Sequence, residues 1–246
     1  MNAPRLLVAP SHTWAELAAT GIAELIVSCL RGVPERNVFV ALAGGSTPAP
    51  VYEALAASTT PIDWSRVELF LSDERMVALD DADSNYRAAR LHLTDRIAGA
   101  HPLLHPVSTE RDVHSAAHVY DELIRQRLPG EPSKWPRFDL ILLGIGMDGH
   151  TASLFPNEPA LGERDHGVVG AIHPQTGQRR TTFTLPLLGA AQEIWFLVTG
   201  SDKSDIVARA IRSPRTYSLP ASVVAQSGAT VRWILDDAAA TGVIRS

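Results

Sequence analysis

The chain has 246 residues, of which 45% are hydrophobic and 20% are charged, and its formal net charge is -5. A chain of this length and apolar content can bury a substantial core, and we expect a single domain spanning residues 1–246. The acidic balance argues against the broad basic surface that nucleic acid or an anionic membrane would require, so any anionic ligand is expected to be small and held locally.

The amino terminus and the cysteine count bear on where the protein works. The first residues lack a charged segment followed by an apolar stretch, and no apolar run reaches the roughly 20 residues of a membrane span. Cys29 is the single cysteine, which leaves no internal disulfide and no cysteine-based metal site. We therefore expect a soluble cytoplasmic protein, a monomer or weak homo-oligomer, with no nucleic-acid or membrane partner.

Short apolar runs alternate along the chain with segments of helical periodicity. Predicted strands occupy 5–8, 38–42, 67–71, 140–143, 194–198 and 231–235, and predicted helices occupy 13–30, 48–57, 85–97, 113–128 and 203–211. This alternation is typical of an α/β fold with a mostly parallel, Rossmann-like sheet and helices on both faces. The stretch 157–178 is polar and too long for an ordinary connection, so we interpret it as a loop and a candidate mobile lid.

The second predicted strand runs into the loop Ala-Gly-Gly-Ser-Thr-Pro at 43–48. Ser46 or Thr47 is placed to cap the following helix. Unpaired amides at such a helix start, beside Gly44 and Gly45, which have no side chains, form a site for a small anion. A plain tight turn is the alternative for this loop taken alone. The loop lacks the Gly-Lys-Ser/Thr ending of a nucleotide P-loop, which argues against ATP or GTP.

Two further strand ends carry charged side chains. Ser-Asp-Glu-Arg follows the third predicted strand and contains Asp73 and Arg75, and Gly-Ser-Asp-Lys follows the fifth and ends in Lys203. Arg179 and Arg180 precede another apolar segment. We expect Arg75, Arg180 and Lys203 to converge on a phosphate, although surface ion pairing is the simpler interpretation of the first motif taken alone.

The segment 138–156 combines an apolar run, three glycines, and an Asp and a His separated by one glycine. The run 140–143 predicts a strand buried on both faces, which delivers the following residues to the carboxyl edge of the sheet, where open α/β folds bind ligands. Gly144, Gly146 and Gly149 permit a ligand to approach the main chain closely. The chemistry is therefore expected in this segment.

His150 is the candidate general base of that segment. An imidazole, with an ordinary pKa near 6.5, accepts a proton readily at neutral pH. If Thr151 begins a helix, the amide dipoles disfavour the imidazolium and keep the ring neutral. Asp148 is placed to orient the ring or to contact substrate hydroxyls. A histidine that is only bonded within its own turn is the alternative.

The same segment also satisfies the G-x-G-x-x-G spacing of a dinucleotide site, at 144–149. A dinucleotide fingerprint opens a long helix that leads to a second strand, whereas Pro156 and the polar stretch beyond it interrupt that pattern. The closely spaced histidine pairs of the chain have no third ligand at a recognisable spacing for a metal ion. We therefore predict neither a cofactor nor a metal.

Several motifs together resemble those of the 6-phosphogluconolactonase family, and they follow the family's order over nearly the whole chain. They are Ala-Gly-Gly-Ser-Thr-Pro at 43–48, Ser-Asp-Glu-Arg at 72–75, Asp-Ser-Asn-Tyr at 83–86, Gly-Ile-Gly-Met-Asp-Gly-His-Thr-Ala-Ser-Leu-Phe-Pro at 144–156, Thr-Leu-Pro at 184–186, Gly-Ser-Asp-Lys at 200–203 and Leu-Pro-Ala-Ser at 219–222. The resemblance implies the fold that this family shares with glucosamine-6-phosphate deaminase and, more distantly, with ribose-5-phosphate isomerase.

The resemblance implies hydrolysis of 6-phospho-D-glucono-1,5-lactone to 6-phosphogluconate, in the oxidative pentose phosphate pathway, without metal or organic cofactor. It implies that His150 activates the attacking water, and that Asp73 and Asp148 contact the sugar or position the base. The backbone amides of 149–152 are candidates for stabilising the oxyanion. The implied substrate-binding and phosphate-binding residues are Gly44, Gly45, Ser46, Arg75, Gly146, Gly149, Arg180 and Lys203.

Two departures from the family pattern and two rival functions remain open. Ala43 stands where the family commonly has serine, and the stretch 157–178 is longer than expected, which leaves Arg179 and Arg180 as competing phosphate ligands. A sugar-phosphate deaminase or isomerase is disfavoured because Phe155 stands where the deaminase has a glutamate that handles protons. A non-catalytic sugar-phosphate sensor is disfavoured because such proteins normally carry a DNA-binding helix-turn-helix, and the first predicted strand begins at about residue 5.

Overall fold

Residues 5–32, 34–128, 135–213 and 215–244 are described by the structure, a computed structural model. The strands in these ranges are β1 (Arg5–Ala9), β2 (Val38–Leu42), β3 (Val67–Leu71), β4 (Asp73–Arg75), β5 (Leu103–Leu104), β6 (Leu140–Leu143), β7 (Val168–Ile172), β8 (Arg179–Phe183), β9 (Glu193–Val198) and β10 (Thr230–Asp236). The α-helices are α1 (Trp14–Gly32), α2 (Ala49–Ala56), α3 (Asn85–His92), α4 (Val113–Arg127), α5 (Leu185–Gly189), α6 (Ser204–Arg212), α7 (Pro220–Ala225) and α8 (Asp237–Ile244).

Seven strands form one sheet in the order β1-β10-β9-β6-β2-β3-β5, and every neighbouring pair is parallel. The predicted α/β fold with a mostly parallel sheet is confirmed. The direction in which the chain crosses the sheet reverses between β2 and β6, since β2 leads to β3 on one side and β6 leads to β9 on the other. In open parallel sheets, ligands bind beside the carboxyl ends of the strands at such a reversal.

The sheet is covered on both faces, as its continuous apolar strands require. Successive side chains of a strand point to opposite faces. Along β2, Phe39 and Ala41 join one buried cluster together with residues of α4, whereas Val38, Val40 and Leu42 join a second cluster with residues of α1 and α2. The prediction of helices on both faces is confirmed.

The helices agree with the sequence pattern where they are long and amphipathic. In the structure, the helix predicted over 85–97 is shorter than expected. It ends at His92, and a separate 3-10 turn follows at Thr94–Arg96. The short helices α5 and α7 and the carboxyl-terminal α8 were missed, since five to eight residues give little periodicity. No helix in the described part of the chain is both long and apolar enough to cross a membrane.

A second sheet, antiparallel and three-stranded, has the order β4-β8-β7 and was not predicted. It is joined to the large sheet at Ser72, the single residue between β3 and β4, whose carbonyl accepts the amide of Phe183 at 2.9 Å. Because β7 and a 3-10 turn at Pro159–Gly162 lie within 157–178, the interpretation of that whole stretch as a loop is wrong. The pairing of β7 with β8 depends on contacts that the local sequence does not signal.

Three acidic side chains at the amino ends of strands in the large sheet each form a two-bond pair with an arginine. The pairs are Glu68 with Arg127 (2.6 and 2.9 Å), Asp139 with Arg36 (2.7 and 2.9 Å) and Glu193 with Arg232 (2.8 and 3.1 Å). Glu68 is 2% exposed and is also bonded to Asn37 and His105. Burial raises the pKa of Glu68, but the bonds from Arg127, Asn37 and His105 outweigh burial and leave the pKa below its usual value.

Replacing Glu68 with glutamine should lower the free energy of unfolding at pH 7 by about 2 kcal/mol, less than for a fully buried pair because Arg127 is partly exposed. The lowered pKa means that the carboxylate stabilises the fold above its unfolded-state pKa and loses that effect as the pH falls through the folded value. The difference between the two proteins should therefore shrink below about pH 4.

Urea denaturation at pH 7 and pH 3 measures this difference. The matched control is Glu110→Gln, because the Glu110 side chain is exposed and 3.9 Å from Arg111. The control should change the stability little at either pH. If the Glu68→Gln protein were as stable as the control at pH 7, the Glu68–Arg127 pair would not stabilise the fold as proposed.

Candidate active site

A cavity of about 280 Å³ lies at the carboxyl ends of β2, β3, β6 and β9, at the point where the strand order reverses. Main-chain loops form one part of its wall, and residues of the small sheet form another. Two of the predicted site residues, Asp148 and Gly149, do not line it. The other predicted residues all do, and they are Gly44, Gly45, Ser46, Asp73, Arg75, Gly146, His150, Arg180 and Lys203.

The loop 43–48 presents main-chain donors to the cavity. Helix α2 begins at Ala49 with Pro48 in the cap position and no side-chain cap, so the expectation that Ser46 or Thr47 caps the helix is wrong. Gly45 has a φ of 88°, which a side chain would disfavour. The amides of residues 44–47 donate to no acceptor within the described ranges. They are therefore available to an anion in the cavity.

Asn85 fixes this loop, and sequence reasoning did not include it in the site. A Cβ on Gly44 would lie 2.2 Å from side-chain atoms of Asn85, so the close approach of the two residues requires glycine. The side-chain amide of Asn85 donates to the backbone carbonyl of Asp73 at 2.8 Å and to the Asp73 carboxylate at 3.3 Å. Asn85 thus joins the first loop to the end of β3. The only sequence signal was its place in the motif Asp-Ser-Asn-Tyr.

Glu74 is a buried carboxylate directly behind the cavity wall. It accepts the amides of Arg75, Asn85 and Tyr86 at 2.7 to 2.8 Å and the hydroxyl of Ser84 at 3.1 Å. Burial raises the pKa of Glu74 above its usual value, and the three amide bonds offset this rise only in part. Because these amides include the start of α3, Glu74 holds that helix and Asn85 in place.

Three cations line the cavity. Arg180 donates from two nitrogens to the Gln178 side chain at 2.8 and 3.1 Å. Arg75 donates to the carbonyl of Asp83 at 2.5 Å. Lys203 makes no side-chain hydrogen bond or ion pair with the part of the chain that the structure describes. Arg179 is exposed and does not line the cavity, so the geometry favours Arg180 of the two neighbours.

Asp73 contacts both Arg180 and Ser153, a residue of the segment 138–156. It is 7% exposed and accepts the hydroxyl of Ser153 at 2.7 Å. The Arg180 guanidinium lies 4.0 Å from the same carboxylate and donates to Ser153 at 3.4 Å. Burial lowers the pKa of Arg180, and Asp73 opposes this, but a guanidinium stays protonated in proteins. Asp73 therefore holds Arg180 in place while reducing the local positive charge.

His150 lines the cavity, and its Nδ1 lies 2.6 Å from the carboxylate of Asp148. Burial raises the pKa of Asp148, but His150 and the backbone bonds outweigh burial and leave that pKa below its usual value. The ring packs on the main chain of Gly146, where a Cβ would lie 2.1 Å from Nδ1. With Nδ1 bonded to Asp148, Nε2 is the nitrogen left for proton transfer.

The residues after His150 do not form a helix, so the expected helix start at Thr151 is wrong. They form turns with an isolated bridge between Thr151 and Leu154, and Ala152 has a φ of 47°. No helix dipole acts on the imidazole from this segment. The chain instead closes a turn, in which the amide of Leu154 donates to the carbonyl of Thr151 at 3.0 Å.

Gly149 and the candidate oxyanion amides are used within this turn. Gly149 has a φ of 86° and lies against Leu219, whose side chain a Cβ would approach to 2.2 Å. Its amide donates to the carbonyl of Gly146 at 3.0 Å, and the amide of His150 donates to Asp148 at 3.1 Å. Two of the four amides in 149–152 are therefore already engaged.

The cavity brings together two kinds of chemical group. Unpaired amides and guanidinium or ammonium groups can hold an anion, and an imidazole bonded to a carboxylate can take a proton. Among the described residues, no three His, Cys, Asp or Glu side chains are grouped as a metal ion would need. The lining is therefore suited to binding a small anion beside a group that can accept a proton.

Comparisons with known proteins identify the family of the chain. The family described as glucosamine-6-phosphate isomerases/6-phosphogluconolactonase matches residues 12–233. The chain is 39% identical over 204 residues to the 6-phosphogluconolactonase of Synechocystis sp., covering 81% of this chain and 82% of that one. It is 35% identical over 224 residues to the human 6-phosphogluconolactonase, covering 89% and 85%.

Solved structures of 6-phosphogluconolactonases are also similar to this chain. The crystal structure of 6-phosphogluconolactonase from Thermotoga maritima has a TM-score of 0.80 and 29% identity, covering 95% of this chain and 100% of that one. The 6-phosphogluconolactonase from Trypanosoma brucei has a TM-score of 0.82 and 28% identity, covering 98% of each chain. The chain belongs to the glucosamine-6-phosphate isomerase/6-phosphogluconolactonase family.

Proposed function

We propose that the protein hydrolyses 6-phospho-D-glucono-1,5-lactone to 6-phosphogluconate, as the names of its relatives indicate. The observation that carries the proposal is the presence, in one cavity, of an imidazole bonded to a carboxylate and of three cations beside unpaired loop amides. A phosphorylated lactone has the two matching features, since its anionic phosphate is separated by the sugar ring from an electrophilic carbonyl.

The phosphate occupies the region formed by Gly44, Gly45 and Ser46, with Arg180 and Lys203 as cationic ligands and Arg75 as a further one. Loop amides and helix starts bind phosphate through several donors at once, and a guanidinium adds strong charge-assisted bonds. This local concentration of donors explains how a protein of net charge -5 binds an anionic substrate. Anchoring the phosphate also fixes where the carbonyl lies relative to His150.

In the chemical step, Nε2 of His150 removes a proton from water as the water oxygen attacks the lactone carbonyl carbon. The carbonyl oxygen becomes an oxyanion, and the bond from the carbonyl carbon to the ring oxygen then breaks. The proton on Nε2 passes to the departing ring oxygen, which becomes a hydroxyl, and the product acid ionises. Asp148 holds Nδ1 throughout and stabilises the imidazolium. A lactone is an activated ester, so no covalent nucleophile is needed.

The deaminase alternative is disfavoured by the position after the His150 turn. Phe155 is 0% exposed and packs between two imidazoles, so no carboxylate is available there to shuttle protons during ring opening. Asp73, the carboxylate among the described cavity-lining residues, is bonded to Ser153. This arrangement supports hydrolysis over amine removal.

Purified protein should accelerate hydrolysis of the phosphorylated lactone well above its spontaneous rate and leave glucosamine 6-phosphate unchanged. Acid release at constant pH measures the first reaction, and ammonia release measures the second. Turnover of glucosamine 6-phosphate without turnover of the lactone would refute the proposal.

Replacing His150 with asparagine should lower kcat by about 100-fold or more, because the water loses its general base. The affinity for 6-phosphogluconate, measured by titration calorimetry, should change little, because the phosphate ligands remain. A variant with the wild-type kcat would remove His150 from the mechanism.

Replacing Arg180 with methionine should raise the KM for the phosphorylated lactone by about tenfold or more, because a charge-assisted bond to phosphate is lost. Arg179→Met is the matched control, since Arg179 is exposed and outside the cavity. Hydrolysis of unphosphorylated glucono-1,5-lactone should be nearly unaffected in both variants. A larger rise in KM in Arg179→Met than in Arg180→Met would make Arg179 the phosphate ligand instead.

A further inference from the structure

Phe155 is a fully buried phenyl ring with polar neighbours. A buried phenylalanine usually packs among apolar side chains. This ring instead contacts the imidazoles of His150 and His173 and lies under the guanidinium of Arg180. Two of those three groups line the cavity, although Phe155 itself does not. Phe155 is therefore placed where it can affect the orientation of two cavity-lining side chains, His150 and Arg180.

The hydrogen bond to Asp148 does not by itself fix the plane of the His150 ring. A single bond at Nδ1 holds one atom and allows the ring to tilt about it, and the Asp148 side chain is 45% exposed. The centroid of the Phe155 ring lies 4.8 Å from that of His150, at an interplanar angle of 52°, which is within the range of favourable aromatic pairs. Phe155 and the main chain of Gly146 thus both contact the His150 ring.

The same ring supports the cation. The Arg180 guanidinium carbon lies 5.7 Å from the centroid of Phe155, within the distance of a cation–π contact. The nitrogens of the guanidinium bond to Gln178 and Ser153, while its carbon lies over the Phe155 ring. One apolar side chain thus borders both the candidate base and a candidate phosphate ligand.

His173 is the third polar neighbour of Phe155. The His173 ring meets Phe155 nearly edge-on, at 4.8 Å and 62°. Its Nδ1 accepts the amides of Gln175 and Thr176 at 3.3 and 3.4 Å, which fixes the ring in the turn between β7 and β8. Burial, Arg180 and His150 lower the pKa of His173, which favours the neutral ring whose Nδ1 can accept these amides.

We propose that Phe155 is a positioning residue for the hydrolysis: its ring sets the plane of the His150 imidazole and holds the Arg180 guanidinium against the same cavity wall. This inference rests on the proposed function. It also requires more than lactone hydrolysis alone. A lactonase whose base is oriented only by Asp148 would not need a flat ring at position 155.

The test compares Phe155→Leu with Phe138→Leu in the full chain. Phe138 is equally buried, lies in the hydrophobic core against the rings of Phe70 and Phe183, and does not line the cavity. Both changes remove a core ring and should lower the melting temperature similarly. Phe155→Leu should lower kcat for the phosphorylated lactone by about 10- to 100-fold, with a smaller change in KM, because the base is misaligned. Phe138→Leu should keep the wild-type kcat.

A loss of kcat in Phe155→Leu no larger than in Phe138→Leu would overturn the inference. If Phe155→Leu does not fold, Phe155→Met decides, since it keeps most of the volume but lacks the flat ring and should show the same loss of kcat. A folded Phe155→Met with the wild-type kcat would overturn the inference as well. Absence of lactone hydrolysis by the wild-type protein would instead refute the proposed function, so the two failures are distinguishable.

Discussion

The site depends on the reversal of strand order between β2 and β6. Because these strands are parallel neighbours, the loop 43–48 and the segment 144–152 emerge side by side at one edge of the sheet. The first carries unpaired amides and the second carries an oriented imidazole. The fold of the main chain thus places the donors of the first segment beside the side chain of His150 in the second.

The two ends of the sheet use charge in opposite ways. At the amino ends, Glu68, Asp139 and Glu193 are each paired with an arginine, which satisfies the charge within the protein. At the carboxyl ends, Lys203 and the amides of 44–47 have no such partners in the described ranges. Unsatisfied donors favour an anionic ligand, because binding supplies the missing acceptors. The paired end is suited to stability and the unpaired end to binding.

Much of this arrangement was predictable from local patterns, and the remainder required long-range contacts. Apolar runs predicted the main strands of the large sheet, the glycine-rich end of β6 pointed to His150, and the family resemblance pointed to Arg180. The strand β7 was missed because Val-Val-Gly-Ala-Ile carries a glycine and is defined by pairing with β8. Asn85 and Phe155 were not assigned to the site, because their roles depend on side chains that only the fold brings near them. The expected helix at Thr151 failed because a bridge to Leu154 closes a turn there.

We propose that the phosphate binds at the loop amides and the cations of one cavity, and that the reacting carbonyl lies beside His150. A crystal structure with bound 6-phosphogluconate can decide this, because the product carries the phosphate and the carboxylate that forms from the carbonyl. The phosphate is expected within hydrogen-bonding distance of the 44–47 amides, Arg180 and Lys203, and the carboxylate beside Nε2 of His150. A phosphate bound at His150, or a product bound outside this cavity, would contradict it.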